Sequence, residues 1–445
     1  MKLWLHFSVA ALAIPLALMF FIYPAFVIGA LIFDPELKAT GQSRLVPGWF
    51  ESAAGRYASW ADDYLDSGYA KSVEHDDVPA TEWPMFGSMF FLVAANDLWK
   101  QGRLDIKQPA IRDAVDKAAQ IIVSPDTATW VRTRWGHDYL HEENVFYRML
   151  LILGLSAYQE MSGDTRHREL LRVQRLGLAR ELDAAPWKLL DDYPGECYPN
   201  DVLWSVAAMR RAARLDQDAG PGELADGLLA VLESPLASPL GLPAFQANCR
   251  AGTIVQNPRG SGNSAIIIFA AELDIDVAGR WYRAHETYFW KENRWVAGFT
   301  ELPRGSGRKY MDVDSGPVLF EFGSAASAFG IGAAKAVGRI DHAAVLTLET
   351  VAVAWPTPFG LLLPGLMGRL SVDSWSLGEI ALLFAMTRPV STTQVVPFSG
   401  PIPWVVWLLM FMYFSAGVFF IAMEVRGCLN LAKKINHLKT GYTET

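Results

Sequence analysis

The sequence predicts an all-α protein: an (α/α)6 toroid of six helix hairpins, with one transmembrane helix before it and one after it. Three observations carry that expectation. Two long apolar runs lie near the two ends, a charge-poor type of helix start recurs at regular spacing between them, and charged amphipathic helices fill the intervals.

The bulk composition sets the frame. The chain has 445 residues, 51% of them hydrophobic and only 19% charged, against roughly 25% charged in an ordinary soluble domain. That balance fits membrane segments joined to a globular part. A formal net charge of −8 speaks against nucleic acid as a partner, because a basic face is needed to displace counterions. There is no Gly-rich phosphate loop, no Cys-x-x-Cys pair and no His-Glu-x-x-His helix, so neither a metal nor an organic cofactor is expected.

The first element is the run Leu3 to Phe33, longer than a secretory apolar core and without a clear small-residue cleavage site. Pro15 and Pro24 would kink it, which membrane helices tolerate. The reading is an anchor, with a cleaved signal peptide as the alternative. The last element, Ile402 to Met423, opens with Pro401, Pro403, Trp404 and Trp407 and is followed by Arg426, Lys433, Lys434 and Lys439. The segment from Pro389 to Pro401 has no Lys or Arg, so the positive-inside rule places the C-terminus in the cytoplasm. The expected layout is anchor 1–33, linker 34–45, toroid 46–389, linker 390–401, transmembrane helix 402–424 and basic tail 425–445. This makes a two-pass protein of a cell inner membrane, with a periplasmic toroid and both termini cytoplasmic.

Between the anchors, charge-poor helices begin near Pro84, Glu143, Pro199, Gly262, Ser315 and Ser374. The intervals are roughly 53 to 63 residues, too long for the short solenoid repeats and suited to a helix pair with a long loop. Amphipathic helices alternate with them: Pro47 to Tyr64, Ile106 to Ile122, Thr165 to Leu182, Gly222 to Leu232 and Val277 to Trp290. A helix apolar all round is buried, and one with a charged stripe faces solvent. A closed ring with the first set inside satisfies both; an open solenoid would expose helices such as Ala265 to Ala270. Long loops, such as Leu65 to Trp83 and Leu240 to Ser261, precede the inner helices and gather at one mouth, where six helix N-termini present free N–H groups. Both anchors join the chain at the other end, so the mouth is expected to face away from the bilayer.

Polar residues collect at those helix starts. They are Glu82 and Trp83; Trp135 with His137, Tyr139, His141, Glu143 and Asn144; Tyr193, Glu196, Cys197, Tyr198, Asn200 and Asp201; Asn257, Arg259, Ser261 and Asn263; Glu301, Tyr310, Asp312, Asp314 and Ser315; and Asp373 and Trp375. Singly, many have a plainer explanation: Asn200, Asn263, Asp314 and Asp373 stand where N-caps belong. Together they ring one rim with carboxylates and aromatics, and closely spaced carboxylates in a partly dry cleft acquire separated pKa values. Cys197 and Cys249 both fall in mouth loops of an exported domain. A disulfide between them would close roughly 50 residues, worth about 4 kcal/mol; the rival reading is a reactive Cys197 thiol beside a helix N-terminus.

The motifs Glu143-Asn144-Val145-Phe146-Tyr147 and Cys197-Tyr198-Pro199-Asn200-Asp201-Val202 resemble those of the linalool dehydratase-isomerase domain. The resemblance covers about Val46 to Pro389, and Asp312-Val313-Asp314-Ser315-Gly316-Pro317 looks like a signature of membrane proteins that carry such a domain. It implies an (α/α)6 barrel acting without cofactor as a lyase or isomerase on a small isoprenoid alcohol, with Glu143, Asn144, Cys197 and Asp201 as catalytic candidates. Val206 and Leu150 stand where that family places a second cysteine and a histidine. Trp83, Tyr139, His141, Tyr198, Asp314 and Trp375 are the substrate-binding candidates, with Glu143 and Asp201 as the leading proton carriers. The apolar loop Trp355 to Leu370 reads as a lid over an apolar substrate. Two other classes stay open: a glycan-active hydrolase or lyase, which shares the toroid, and a non-catalytic binding or assembly protein.

Overall fold

The computed structural model describes residues 2–73, 77–306, 312, 314–364, 377–393 and 395–441. The chain enters through an apolar helix, α1 (Lys2–Ala17), which passes through a π-turn at Leu18–Ile22 into α2 (Tyr23–Ile32). A short α3 (Pro35–Thr40) follows. Its cap, Asp34, accepts the amides of Glu36 and Leu37 at 2.9 and 3.3 Å, which turns the chain into the toroid.

Twelve helices then alternate between two layers. α4 (Val46–Ser67) is outer; after the single turn α5 (Val78–Thr81) comes inner α6 (Trp83–Lys100). Outer α7 (Pro109–Val123) and the short α8 (Thr129–Trp135) lead to inner α9 (Val145–Ser162), and outer α10 (Arg168–Ala184) to inner α11 (Pro199–Leu215). Outer α12 (Gly222–Glu233) pairs with inner α13 (Gly260–Leu273), and outer α14 (Ile275–Phe289) with inner α15 (Ser324–Ala336). Outer α16 (Ile340–Ala354) and inner α17 (Leu377–Thr387) complete the set, and α18 (Trp404–Gly441) leaves it. Each inner helix packs on the next, and α17 packs back on α6, so the ring is closed.

Aromatics fill the middle of the ring. Phe90 of α6, Trp204 of α11, Phe269 of α13, Phe329 of α15 and Phe384 of α17 meet with ring centroids 4.5–6.4 Å apart, and burying each contributes about 2–3 kcal/mol. Beyond this plug, toward the inner-helix C-termini, the buried Arg388 guanidinium donates to Asp97 (2.8 Å) and Glu272 and lies over Phe269 and Phe384. Burial opposes the charge of Glu272, yet Arg211 and Arg388 together bring its pKa down to about 2. The lumen is therefore closed at that end, and only the N-terminal mouth is left for a site.

Four two-stranded hairpins decorate the mouth-side loops: β1 (Gln246–Asn248) with β2 (Thr253–Gln256), β3 (Trp290–Glu292) with β4 (Ala297–Phe299), β5 (Val318–Leu319) with β6 (Phe322–Gly323), and β7 (Pro356–Thr357) with β8 (Gly360–Leu361). The third hairpin corrects one expectation. The fifth inner helix starts at Ser324, not near Ser315, because the apolar stretch between them is spent on β5 and β6. Ser315 instead closes a tight loop, with its amide donating to Asp312 Oδ1 at 2.9 Å. The sixth start, near Ser374, lies outside the described residues, which resume at Leu377.

Two helices, Ala10–Ile32 and Trp404–Lys433, are long and apolar enough to cross a membrane. They pack on each other and along α16. Their course along the ring differs from the one expected. Near the N-terminus of α16, Ile340 and Ala343 touch Gly41. At its other end, Trp355 Nε1 donates to the Phe20 carbonyl (2.6 Å), and Tyr413 Oη donates to the Ala352 carbonyl (3.2 Å). The first apolar helix thus runs down α16, the last runs up it, and Phe21 meets Phe420 above Trp355. Outer helices end at the mouth, so both apolar helices project past the mouth end. The chain does join them at the far end of the ring; they then double back.

The apolar loop after α16 corrects another expectation. Its described part, β7 and β8, folds down against α2 and α4. With Tyr23, Trp49, Leu382 and Met386 it lines a cavity of ≈ 350 Å³ at the seam between the first and sixth hairpins. This described part is a wall of the cavity; residues 365–370 of the loop, where the rest of the expected lid falls, lie outside the described set.

Candidate functional site

The loop from α10 to α11 lays five acidic or aromatic residues against the inner-helix starts: Asp191, Asp192, Tyr193, Glu196 and Tyr198. A small turn holds it, with the Asp192 amide donating to the Glu196 carbonyl at 2.8 Å and the Ala247 amide of β1 donating to the Cys197 carbonyl at 3.0 Å. Asp192 is fully buried. Its Oδ2 accepts the Tyr198 amide at 2.6 Å, while its Oδ1 has no partner among the described residues. Burial first, and the neighbouring Asp201 second, push the Asp192 carboxyl well above the usual carboxylate range.

Asp201 stands in the first turn of α11, where Asn200 Nδ2 donates to its Oδ1 at 3.1 Å. The protein around it raises its pKa from 3.8 to about 7, with Asp314 and Glu82 adding to the rise. Glu82, at the start of α6, is likewise raised to about 7 by burial, against a hydrogen bond from Tyr193. Asp314 is raised too, by its surroundings and then by Asp312. Two hairpins, the first and the third, and the loop before α15 therefore bring four carboxyl groups within electrostatic reach of one another. Mutual repulsion and burial raise the proton affinity of such a set, so it favours partial protonation near neutral pH.

The loop carrying Asp314 is fixed from behind. Arg259, before α13, donates Nε to Glu301 and both terminal nitrogens to Asp312, all at 2.8 Å, and stacks on Phe245 at 4.2 Å. The Gly260 amide donates to the Glu301 carbonyl at 2.8 Å. A Cβ at Gly260 would lie 2.0 Å from the Thr300 carbonyl, so only glycine allows this approach. Aromatics frame the carboxyls: Tyr193 sits within 6.1–6.3 Å of Trp130 and Phe146, and Tyr198 lies edge-on to Phe245 at 5.6 Å while its hydroxyl donates to Glu196.

Of the residues expected from sequence, Asp201, Asp314 and Tyr198 come together here, joined by Glu82 and Tyr193. Trp83 is half-buried and follows Glu82 as the first residue of α6. Glu143 faces elsewhere: it pairs with Arg250 and accepts the Asp191 amide at 2.8 Å, which ties the β1–β2 loop to the α10–α11 loop. Asn144 is a buried left-handed N-cap (φ 37°) whose side chain donates to the Tyr139 carbonyl at 3.1 Å. Tyr139 packs edge-on against Tyr147. His141 is exposed and bonds only its neighbour Asp138, at 2.6 Å, because the loop carries it outward. Trp375 lies outside the described residues.

Cys197 and Cys249 are both buried free thiols. Cys249 directs its Sγ to Asp191 Oδ1 (2.8 Å) and away from a disulfide, and burial pushes the Cys197 thiol well above its ordinary pKa, so it is not an activated nucleophile. Glu143, Asp191 and Cys249 hold potential ligand atoms within 4.8 Å of one another. The Arg250 guanidinium beside Glu143 and Asp191 already supplies the positive charge that group calls for.

Sequence reasoning missed Asp191 and Asp192. The signal was present, as two adjacent aspartates directly before Tyr193 in a mouth loop, but the motif was read only from Tyr193 onward.

No protein-family model matches the chain, and no curated protein matches it by sequence. Among solved structures it is similar to an inactive variant of the α-1,6-mannanase GH76A of Salegentibacter sp. HEL1_6, with two consecutive aspartates replaced by asparagine, in complex with α-1,6-mannotriose. The identity is 12% and the TM-score 0.41, over 75% of this chain and 99% of that one. The corresponding alanine variant with α-1,6-mannotetrose gives 12% and 0.42, over 75% and 98%. Neither match assigns a role to a residue of this chain.

Proposed function

We propose that the chain is a membrane-anchored, glycan-active hydrolase that cleaves a glycosidic bond by acid–base catalysis at the Asp192–Asp201 pair. The observation that carries the reading is the carboxyl cluster, enclosed at Asp192 and Glu82 and open to solvent at Asp201 and Asp314, with Tyr193 and Tyr198 beside it. Hydrolysis of a glycosidic bond needs one carboxyl that keeps its proton for the departing oxygen and a second that takes a proton from water as it attacks the anomeric carbon. Asp192, enclosed and raised furthest, is suited to the first task. Asp201, partly open and titrating near 7, is suited to the second. Glu82 and Asp314 hold the proton affinity of Asp201 up. Tyrosine and tryptophan faces beside carboxyls fit the apolar faces and hydroxyl edges of a sugar.

The isoprenoid reading is less favoured, since the described part of the Trp355 loop packs on α2 and α4 and the buried Cys197 thiol is not activated. The test is turnover by the full chain of a panel of methyl glycosides and oligosaccharides, with linalool and geraniol alongside. Asp192→Asn and Asp201→Asn should each lower glycoside cleavage at least about a hundredfold, while Cys197→Ala keeps it. Near-normal cleavage by both folded aspartate variants would sink the assignment. Turnover of the alcohols alone would return the lyase or isomerase reading, and binding without turnover the non-catalytic one.

A further inference from the structure

The two apolar helices and the mouth rim share a side of the molecule. α1 and the later part of α18 continue past Trp355, beyond the end of α16, and pair with each other there. The rim next to them is apolar and uncovered. At the β5–β6 tip, Leu319 is 59% exposed and Phe320 90% exposed, the latter held outward at φ 51°. Val353, on the last turn of α16, and Phe359, at the β7–β8 tip, are exposed as well.

These residues are tied to the apolar helices through continuous structure. β6 bridges to Thr300 beside β4, β4 packs on α15 and α16, and the β3–β4 tip accepts the Trp404 and Val405 amides at 3.0 Å through the Arg294 and Trp295 carbonyls. β7 packs on α2 and the π-turn. A hairpin tip that presents Leu and Phe to water is costly unless something apolar covers it. The surface that the two neighbouring helices imply at that level is lipid.

We propose that the mouth rim is seated on the bilayer, with Leu319, Phe320 and Phe359 in its interfacial layer, and that the carboxyl site takes the sugar of a membrane-anchored saccharide. The second half rests on the glycoside-cleaving reading above; the first half does not. Helices that leave the toroid at its closed end would hold the mouth toward solvent and select free glycans. Helices that leave past the mouth hold it against the headgroups, where a saccharide on a lipid carrier is concentrated in two dimensions and a soluble one is not.

Two measurements on the full chain in phosphatidylcholine–phosphatidylglycerol vesicles test this separately. A nitroxide at residue 320 (Phe320→Cys in a Cys428→Ser background) should be relaxed by oxygen dissolved in lipid and shielded from an aqueous nickel chelate. A nitroxide at Lys107, in the α6–α7 loop at the closed end, should show the reverse. Equal access of the chelate to both positions overturns the proposal. In the second measurement, a hexadecyl glycoside in the vesicles should be cleaved with a KM at least about tenfold below that of the matching methyl glycoside, and Phe320→Asp should erase the difference while leaving methyl glycoside cleavage unchanged. Equal KM values overturn the substrate half. Cleavage of neither compound sinks the glycosidase reading and the substrate with it, while the lipid contact of residue 320 still stands or falls on the first measurement.

Discussion

Asp201→Asn should stabilise the protein at alkaline pH and do much less at acidic pH. In the folded chain the carboxyl is raised from 3.8 to about 7, so between those values the folded state holds a proton that the unfolded state has released. Stability therefore falls as pH rises from about 4 to about 7 and levels off above. Between pH 5 and pH 8 about two pH units of that window are crossed, at about 1.4 kcal/mol each, giving a ceiling of about 3 kcal/mol. Water at the exposed edge of Asp201 and its coupling to Asp192 reduce this to about 1–3 kcal/mol. Asparagine keeps an acceptor for Asn200 and has no charge to bury. Thermal unfolding of the wild type and the variant at pH 5 and pH 8, in the same detergent, reads the effect directly. The gap between the variant and the wild type should widen in the variant's favour by up to about 4 °C at pH 8 for a domain of this size. A gap that is the same at both pH values, or that reverses at pH 8, would show that Asp201 is already ionised in the folded protein, and the partly protonated cluster would be lost with it.

Other expectations concern the ring and the thiols. Arg388→Met strands Asp97 without its buried partner and leaves Glu272 to Arg211 alone, and should cost about 3–5 kcal/mol in a denaturant titration; Asp97→Asn on top of it should recover part of that loss. If the double variant is as unstable as the single one, the pairing is not what holds the closed end. Titration of the unfolded, unreduced chain with a thiol reagent should find all three cysteines free, as in the fold, and the folded chain should protect Cys197 and Cys249. A single reactive thiol in denaturant would mean that the pair is oxidised.

The layers of the toroid were legible because burial leaves a plain mark on composition. Inner helices such as α6 and α13 carry almost no charge, and outer helices such as α10 carry a stripe of it. The fifth start was misplaced by nine residues because a short apolar hairpin and the first turn of a buried helix look alike in sequence. The outer helix α16 did not stand out at all, since Val353 is its only exposed residue and it has no solvent stripe to show. In the candidate site, Asp201 and Tyr198 were legible from their place at a helix start, whereas Asp314 lies in a loop ten residues before one. Asp192 was not legible, because its character comes from being enclosed between loops distant in sequence. Glu143 misled for the converse reason: its position suggested the mouth, while the Arg250 that claims it sits in a loop far along the chain.

α16 has neighbours on both sides, the inner ring on one and the two apolar helices on the other. Its contacts join the extremes of the chain: Phe20 to Trp355, Gly41 to Ile340, Ala352 to Tyr413. A fragment trimmed to the toroid alone would keep every hairpin and still present a bare hydrocarbon wall where the others present charge. Such a fragment would be sticky rather than soluble. During synthesis the same geometry sets an order of events. Half of the cover over α16 is α2, made first, and the other half is α18, the last long helix made, so α16 stays partly bare until synthesis ends. The ring is thus sealed from outside, by the segments that look least like part of it.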